Sequence, residues 1–232
     1  MPTLLLVRHG RTTANTAGIL AGRTAGVHLD EAGRAQAART SERLAAVDLT
    51  SVVSSPLERC RQTTRAILDR QPHSPATTIE HGITECDYGH WQGRSLRELA
   101  KEPLWTTVQN HPSAAVFPGG EGLAAMQARA VAAIRKHDAA VSEQHGPRAA
   151  WAAVSHGDII KAILADALGM HLDLFQRLSV GPASVSIIRY GEDRPEVIAM
   201  NTDAGELGWL RASDTTARPV NDSTVGGGRG HE

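Results

Sequence analysis

Short apolar runs alternate with longer helix-like segments along most of this chain. Runs rich in Leu, Val, Ala and Ser occupy 3–7, 49–55 and 149–155, and each is short enough to be a buried strand. The segments 30–46 and 157–169 are longer and carry apolar residues at helical spacing. Alternating strands and helices predict an α/β domain with a three-layer α/β/α architecture, in which helices cover both faces of a mostly parallel sheet.

Capping and helix-breaking residues predict where several elements begin and end. Asp30 is expected to cap the helix that follows it, and Ser55-Pro56 predicts a helix that begins at the proline. The stretch 102–120 contains three prolines and a Gly-Gly pair, so irregular backbone is expected there. A long helix is expected over about 122–141.

The length of the chain and the composition of its last segment indicate the domain organisation. A chain of 232 residues fits one domain with a sizeable core. The runs "SVSIIRY" and "EVIAM" predict a hairpin-like pair of strands near the end of that domain. The residues beyond them are polar and rich in glycine, so we predict one domain at 1–212 and a flexible tail at 213–232.

The charge balance and the cysteine content argue against several classes of protein. Lys and Arg total 24 and Asp and Glu total 25, which gives no basic surface for nucleic acid or an anionic membrane. No window approaches the roughly 20 apolar residues of a membrane span, and no secretory signal is expected. Cys60 and Cys86 are too few for a disulfide framework. We therefore expect a cytoplasmic protein without a nucleic-acid or membrane partner, and a homo-oligomer is left open.

Ionisable side chains follow three of the predicted strands. Arg8 and His9 follow the first strand, His156 and Gly157 follow a later one, and Arg59 lies one turn into the helix after the second. In an open α/β sheet the ligand site lies beyond the carboxyl ends of the strands. The sequence therefore predicts one crevice that receives two imidazoles and two guanidiniums.

These side chains suit a tetrahedral dianion such as a phosphoryl group. Arginine binds phosphate oxygens in a bidentate manner, and helix N-termini such as the one at Gly157 add partial positive charge. Asn15 adds a neutral donor. A neutral histidine can accept a phosphoryl group as a nucleophile. The sequence contains no zinc or P-loop motif, so we expect neither a metal nor another cofactor.

Four segments resemble the motifs of the histidine phosphatase superfamily, which has the phosphoglycerate mutase-like fold. They are "RHG" with Asn15 five residues after its glycine, "SSPLERCRQT", "ITECDYGHWQG" and "SHGDIIKAIL", and the resemblance runs from about Leu4 to Tyr190. The resemblance implies a small cap insertion, His9 as the nucleophile that becomes phosphohistidine, and Glu85 as the proton donor and acceptor. It also implies a catalytic, phosphate-binding shell made of Arg8, Arg59 and His156, with Asn15 assisting.

For two of these site residues, a nearby residue of the same chemical type is an alternative candidate. Arg61 and Arg65 share a helix with Arg59, and position in the first turn favours Arg59. Asp87 lies two residues after Glu85, and the resemblance favours Glu85.

The residues after Glu85 bear on the substrate. No Lys or Arg occurs from 102 to 128, whereas half of the aromatic residues fall in this region or just before it. An aromatic wall that is poor in basic residues suits a substrate with one phosphate and a partly apolar body. The alternative is that these aromatics only pack the cap. The candidates for substrate contacts are Arg11, Gly22, Tyr88, Trp91, Trp105 and Phe117.

Together these observations predict a metal-independent phosphatase that hydrolyses a small phosphorylated metabolite through a phosphohistidine intermediate. The alternative is a phosphomutase of the phosphoglycerate mutase type, which must retain an anionic product while the product reorients. A catalytically silent binding module is disfavoured because every reacting residue is present. The sequence does not identify the physiological substrate.

Overall fold

The structure is a computed structural model that describes residues 2–191 and 193–203. Within these residues a mixed sheet of six strands is flanked by helices. The strands are β1 (Thr3–Arg8), β2 (Leu49–Ser54), β3 (Ala76–Ile79), β4 (Ala150–Ser155), β5 (Val185–Tyr190) and β6 (Pro195–Thr202). The predicted tail at 213–232, and the end of the predicted domain at 204–212, lie outside the described residues.

Helices occupy most of the chain between the strands. They are α1 (Thr13–Ala17), α2 (Glu31–Leu44), α3 (Glu58–Leu68), α4 (Leu96–Leu99), α5 (Pro103–Asn110), α6 (Leu123–His145) and α7 (Gly157–Ala167). Short 3₁₀ turns occupy His81–Ile83, Gly89–Trp91, Pro112–Ala114 and Leu172–Arg177. No helix in the described part of the chain combines the length and the apolar character that a membrane crossing requires.

The strand order is β3-β2-β4-β1-β5-β6, and the first four strands of that order run parallel. β5 is antiparallel to β1, and β6 is antiparallel to β5, which confirms the predicted hairpin-like pair. The register of β1 and β4 pairs Arg8 with Ser155. The residues that follow this pair, His9 and His156, therefore leave adjacent strands at the same edge of the sheet.

The side chains of β1 are buried on both faces of the sheet. Leu4 and Leu6 belong to a core cluster that also contains buried residues of α6 and α7. Leu5 and Val7 belong to a second cluster with buried residues of α2 and α3. A strand that is covered on both faces requires a continuous apolar run rather than an alternating one. The run in the sequence therefore agrees with the three-layer architecture.

The predicted helix start at Ser55-Pro56 is wrong. α3 begins at Glu58. Its N-cap residue is Leu57, whose apolar side chain cannot accept a hydrogen bond from the amides of the first turn. The hydroxyl of Ser55 is instead hydrogen-bonded to Nε2 of His156, at 2.7 Å. By contrast, Asp30 caps α2 as predicted, because its side chain accepts a hydrogen bond from a backbone amide of the first turn.

The prediction of irregular backbone over 102–120 is wrong for its first half, which forms α5. Pro103 occupies the first turn of this helix, where a missing N–H breaks no intrahelical hydrogen bond. Val108 on α5 is fully buried in the core cluster. The proline therefore starts a helix here instead of interrupting one.

Candidate active site

A cavity lies at the carboxyl end of β1, next to the N-terminal half of α3. The residues that line it are His9, Thr12, Asn15, Ile19, Ala21, Gly22, Arg59 and Glu85. Five of these residues are predicted as site residues from the sequence, and Thr12, Ile19 and Ala21 are not. Small and aliphatic residues in a loop carry no chemical signal, so position in the fold alone could have identified these three.

His9 is held in one tautomer by a backbone carbonyl. Its Nδ1 lies 2.7 Å from the carbonyl oxygen of Gly10, and because a carbonyl only accepts, Nδ1 must carry the proton. Nε2 then bears a lone pair, to which Nε of Arg59 donates at 3.2 Å. Burial, followed by the charges of Arg59 and Arg8, holds the pKa of His9 well below its ordinary value. The imidazole is therefore neutral, as a nucleophile requires.

Two buried guanidiniums are oriented by backbone carbonyls. Nη1 of Arg8 donates to the carbonyl of Val180 at 2.6 Å, and Nη2 of Arg59 donates to the carbonyl of Gly22 at 2.7 Å. Arg59 lines the cavity directly. Arg8 is not among the lining residues, but its charge lowers the pKa of His9. Both arginines are almost completely buried, so their charges act with little screening by water.

His156 lies beside His9, with the two ring centroids 5.3 Å apart. It is fully buried and serves as the N-cap residue of α7, so that the helix begins at Gly157. Burial and the charge of Arg59 lower the pKa of His156 well below its ordinary value. The predicted nucleophile therefore has a neutral imidazole beside it, and that imidazole belongs to the residue at the N-terminus of α7.

Glu85 lines the cavity although only 3 % of its surface is exposed. Burial, and next the charge of Asp158, raise the pKa of Glu85 to about 7. Asp158 is itself fully buried and accepts a hydrogen bond from the hydroxyl of Tyr88 at 2.7 Å. A carboxyl with this pKa exists in both protonation states near neutral pH, which suits a group that gives and takes a proton.

Asn15 completes the polar wall and is positioned by the first turn of α1. Its Oδ1 accepts hydrogen bonds from the backbone amide and the hydroxyl of Thr12, at 3.0 and 2.8 Å. Because the amide oxygen has these partners, the Nδ2 amino group is the part of Asn15 that can donate to a ligand.

The structure does not bring the remaining predicted contact residues to the cavity, apart from Gly22. Nε of Arg11 forms an ion pair with Asp30 at 2.9 Å. Tyr88, Trp91 and Phe117 are buried in the core cluster. Phe117 packs edge to face against both Tyr88 and Trp91, and the partly buried Trp105 stacks on Trp91. This placement favours the alternative in which the aromatics pack the cap.

Comparison with known proteins agrees with the fold. A model of the histidine phosphatase superfamily (branch 1) matches residues 4–203. The adenosylcobalamin/alpha-ribazole phosphatase of Salmonella typhimurium is 32% identical over 172 residues, which are 72% of this chain and 80% of that protein. Phosphoserine phosphatase 1 of Hydrogenobacter thermophilus is 28% identical over 204 residues, 87% of this chain and 92% of that protein. The crystal structure of the alpha-ribazole phosphatase from Shigella flexneri superposes with a TM-score of 0.72 at 26% identity, covering 86% of this chain and 96% of that one.

Proposed function

This chain belongs to branch 1 of the histidine phosphatase superfamily, and on that premise we propose that it hydrolyses small phosphomonoesters through a phosphohistidine at His9. The observation that carries the proposal is the pairing of His9 with Glu85. A neutral imidazole, held with its Nε2 lone pair beside Arg59, lines the same cavity as a carboxyl that is partly protonated at neutral pH. One group supplies a nucleophile and the other supplies a proton.

In the first proposed step the phosphoryl group moves from the substrate to the enzyme. A bond forms between Nε2 of His9 and phosphorus while the bond from phosphorus to the ester oxygen breaks. Glu85 gives its proton to the departing oxygen, so that no free alkoxide forms. Arg59, Arg8 and the N-terminus of α7 stabilise the charge on the phosphoryl oxygens.

In the second proposed step water releases phosphate. The water oxygen bonds to phosphorus as the bond between phosphorus and Nε2 breaks. Glu85, ionised by the first step, accepts the proton of the attacking water and returns to its starting state. His9 recovers its neutral form. The residues of this chain therefore complete the cycle, and the proposal includes neither a metal nor another cofactor.

The first test is the covalent intermediate. Enzyme that is quenched in alkaline detergent during turnover of a labelled phosphomonoester should carry phosphate that is stable to base and labile to acid. His9→Ala should lose both the label and turnover, while a matched His28→Ala variant, at an exposed histidine outside the cavity, should keep both. Turnover in the His9→Ala variant at the wild-type rate would contradict the mechanism.

The lining of the cavity favours a substrate with one phosphate and an uncharged body. Of the residues that line it, Arg59 alone is cationic, and Ile19 and Ala21 contribute apolar side chains. A carboxylate on the substrate would therefore find no dedicated partner there. Among relatives, one is named for alpha-ribazole and another for phosphoserine. We expect a panel of phosphorylated metabolites to show higher kcat/KM for a neutral, partly apolar body than for phosphoserine.

A phosphomutase remains the alternative function, and product partitioning separates the two. A mutase must retain its product by cationic contacts outside the phosphate site, each worth roughly 1.5–3 kcal/mol when charge-assisted. The absence of cations other than Arg59 among the lining residues makes hydrolysis the expected outcome. The enzyme should be supplied with one phosphoglycerate isomer and a trace of the bisphosphate, and followed by NMR. Faster formation of the other isomer than of free phosphate would establish the mutase instead. A cytoplasmic location and a small metabolite as the partner belong to the same proposal.

A further inference from the structure

The backbone carbonyl of Glu85 receives two arginine N–H groups. Nε of Arg23 donates to it at 2.8 Å, and Nη2 of Arg129 donates to it at 3.2 Å. Neither arginine lines the cavity. Both therefore act on the main chain that carries the proton donor rather than on the substrate.

One carboxylate holds both arginines in place. Oε1 of Glu121 accepts from Nη2 of Arg23 at 2.9 Å, and Oε2 accepts from Nε of Arg129 at 2.9 Å. Nη2 of Arg129 also donates to Oε1, which makes that pair bidentate. The same oxygen accepts from the backbone amide of Asp87 at 2.8 Å, two residues beyond Glu85. Glu121 thus contacts the segment of the proton donor both directly and through two cations.

These contacts connect the proton donor to the phosphate side of the cavity. Arg23 directly follows Gly22, whose carbonyl orients Arg59. Arg129 projects from α6 and also donates to the carbonyl of Gly82 at 2.7 Å. The group made of Glu121, Arg23 and Arg129, here called the clamp, therefore joins the loop that holds Arg59 to the loop that carries Glu85.

The clamp is shielded enough from water for its charges to matter. The side chains of Glu121, Arg129 and Arg23 are 19%, 24% and 35% exposed. Burial alone would raise the pKa of Glu121, but hydrogen bonds from Arg129 and the Asp87 amide lower it. Glu121 is consequently a carboxylate at neutral pH. Oδ2 of Asp87 also lies 3.5 Å from Nη1 of Arg23, and a network of four charged side chains holds geometry better than an isolated surface pair.

We infer that Glu121 is a positioning residue for Glu85, which it acts on by seating Arg23 and Arg129 on the Glu85 main chain. This inference rests on the proposed function, in which Glu85 protonates the leaving group. Proton transfer depends on hydrogen-bond distance, so a small displacement of the Glu85 backbone weakens it. Phosphoryl transfer to His9 does not require the clamp when the leaving group departs without a proton.

The test compares leaving groups. Glu121→Gln keeps the shape of the side chain and removes its charge. Its kcat/KM for propyl phosphate, which needs a proton, should fall by roughly 10- to 100-fold, and that for p-nitrophenyl phosphate by less than about 3-fold. Glu102→Gln, which breaks a 2.6 Å ion pair with Arg94 in the cap, is the matched control and should change neither value. Equal losses on both substrates, or no loss on either, would overturn the inference.

Glu85→Gln separates failure of this inference from failure of the proposed function. Glu85→Gln should itself lose activity mainly on propyl phosphate. If it loses both substrates equally, Glu85 is not the proton donor and both proposals fail. If Glu85→Gln loses activity mainly on propyl phosphate and Glu121→Gln does not, the proposed function stands and only the inferred role of the clamp is wrong.

A readout without turnover tests the same contacts. Amide hydrogen exchange over 83–88 should be roughly tenfold or more faster in Glu121→Gln than in the wild-type protein, with β1 and β4 unchanged. Unchanged exchange over 83–88 would overturn the inference even if activity fell.

Discussion

The buried carboxyl of Glu85 lowers the stability of the native state at neutral and alkaline pH. The carboxyl is buried, and burial together with the charge of Asp158 raises its pKa to about 7. In the unfolded chain its pKa returns to an ordinary carboxyl value. Between these two values the native state binds more protons than the unfolded state, so the native state loses stability as the pH rises.

We therefore expect Glu85→Gln to stabilise the protein at alkaline pH. The gain should be absent below the ordinary carboxyl pKa and should reach on the order of 1–3 kcal/mol above pH 7. Denaturant unfolding of both proteins at pH 4.5 and at pH 8 measures it. Glu102→Gln, at a partly exposed carboxyl, is the matched control for replacing a glutamate with glutamine. A Glu85→Gln protein that is less stable than wild type at pH 8 would contradict this account.

The same pKa shifts predict the pH dependence of kcat/KM. Glu85 must be protonated to protonate the leaving group, so activity should fall as the pH rises through about 7. Because burial and the charges of Arg59 and Arg8 lower the pKa of His9, the acid limb should lie well below the ordinary histidine range. Asp158→Asn removes a charge that raises the pKa of Glu85, so it should move the alkaline limb to lower pH. If the alkaline limb of the pH profile does not move in this variant, the charge of Asp158 is not a cause of the raised pKa of Glu85.

Only part of the site could be predicted from residue types. His9 and Arg59 follow strand ends, where polar side chains predict function, and the structure places both at the cavity. Asp158 gives no such signal, because an acidic residue in the first turn of a helix ordinarily stabilises the helix dipole. The contacts of Glu121 are not evident from the sequence either, since its partners Arg23 and Arg129 lie far from it in sequence or on another element. Long-range electrostatic partners need the fold before they can be identified.

At the scale of elements, α2 is fixed against the turn that follows β1. A Cβ added at Gly33 would lie 1.9 Å from the carbonyl oxygen of Arg11, and one added at Gly10 would lie 2.4 Å from the carbonyl oxygen of Gly33. Both of these neighbours are backbone atoms, which cannot rotate away. The two glycines therefore set how closely the helix approaches the residues next to His9.

Gly33→Ala should consequently destabilise the protein and disturb the site. Overpacking against backbone should cost about 2 kcal/mol or more, which corresponds to a fall in Tm of roughly 4–8 °C. Gly181→Ala is the matched control, because its added Cβ would meet only the Asn201 side chain at 3.4 Å. The control should remain within about 0.5 kcal/mol of wild type. Equal melting temperatures for the two variants would show that α2 adjusts without strain.

Some helix boundaries can be predicted from local sequence patterns, whereas others are determined by tertiary packing. Asp30 caps α2 as its residue type predicts, because the hydrogen bond is made within one turn. Ser55 has the same capping ability, but its hydroxyl is hydrogen-bonded to His156, which is contributed by a distant strand end. α5 begins at Pro103, a position that tolerates proline, and its Val108 is buried against the core. Tertiary contacts of this kind cannot be derived from a window of sequence.

At the scale of the whole molecule, protein groups supply the positive charge that a phosphoryl group requires. Arg59 donates to Nε2 of His9, the charge of Arg8 lowers the pKa of His9, and the neighbouring His156 is the N-cap residue of α7. Across the described residues, no group of three or more His, Cys, Asp or Glu is arranged to hold a metal ion. We expect EDTA to leave kcat/KM within about twofold of the untreated value, measured after dialysis into metal-free buffer. A loss that Mg²⁺ or Zn²⁺ restores would reveal a metal requirement.

The position of β1 in the sheet has a consequence for how the protein is made. In the described sheet, the strands that pair with β1 are β4 and β5, which begin at Ala150 and Val185. β1 therefore leaves the ribosome well before either of these partners, and such non-local pairing is slow and leaves apolar strands exposed. His9 is translated together with β1, but His156 comes beside it only after β4 has emerged. A nascent chain should thus acquire activity only when β4 and β5 have been synthesised and have joined β1.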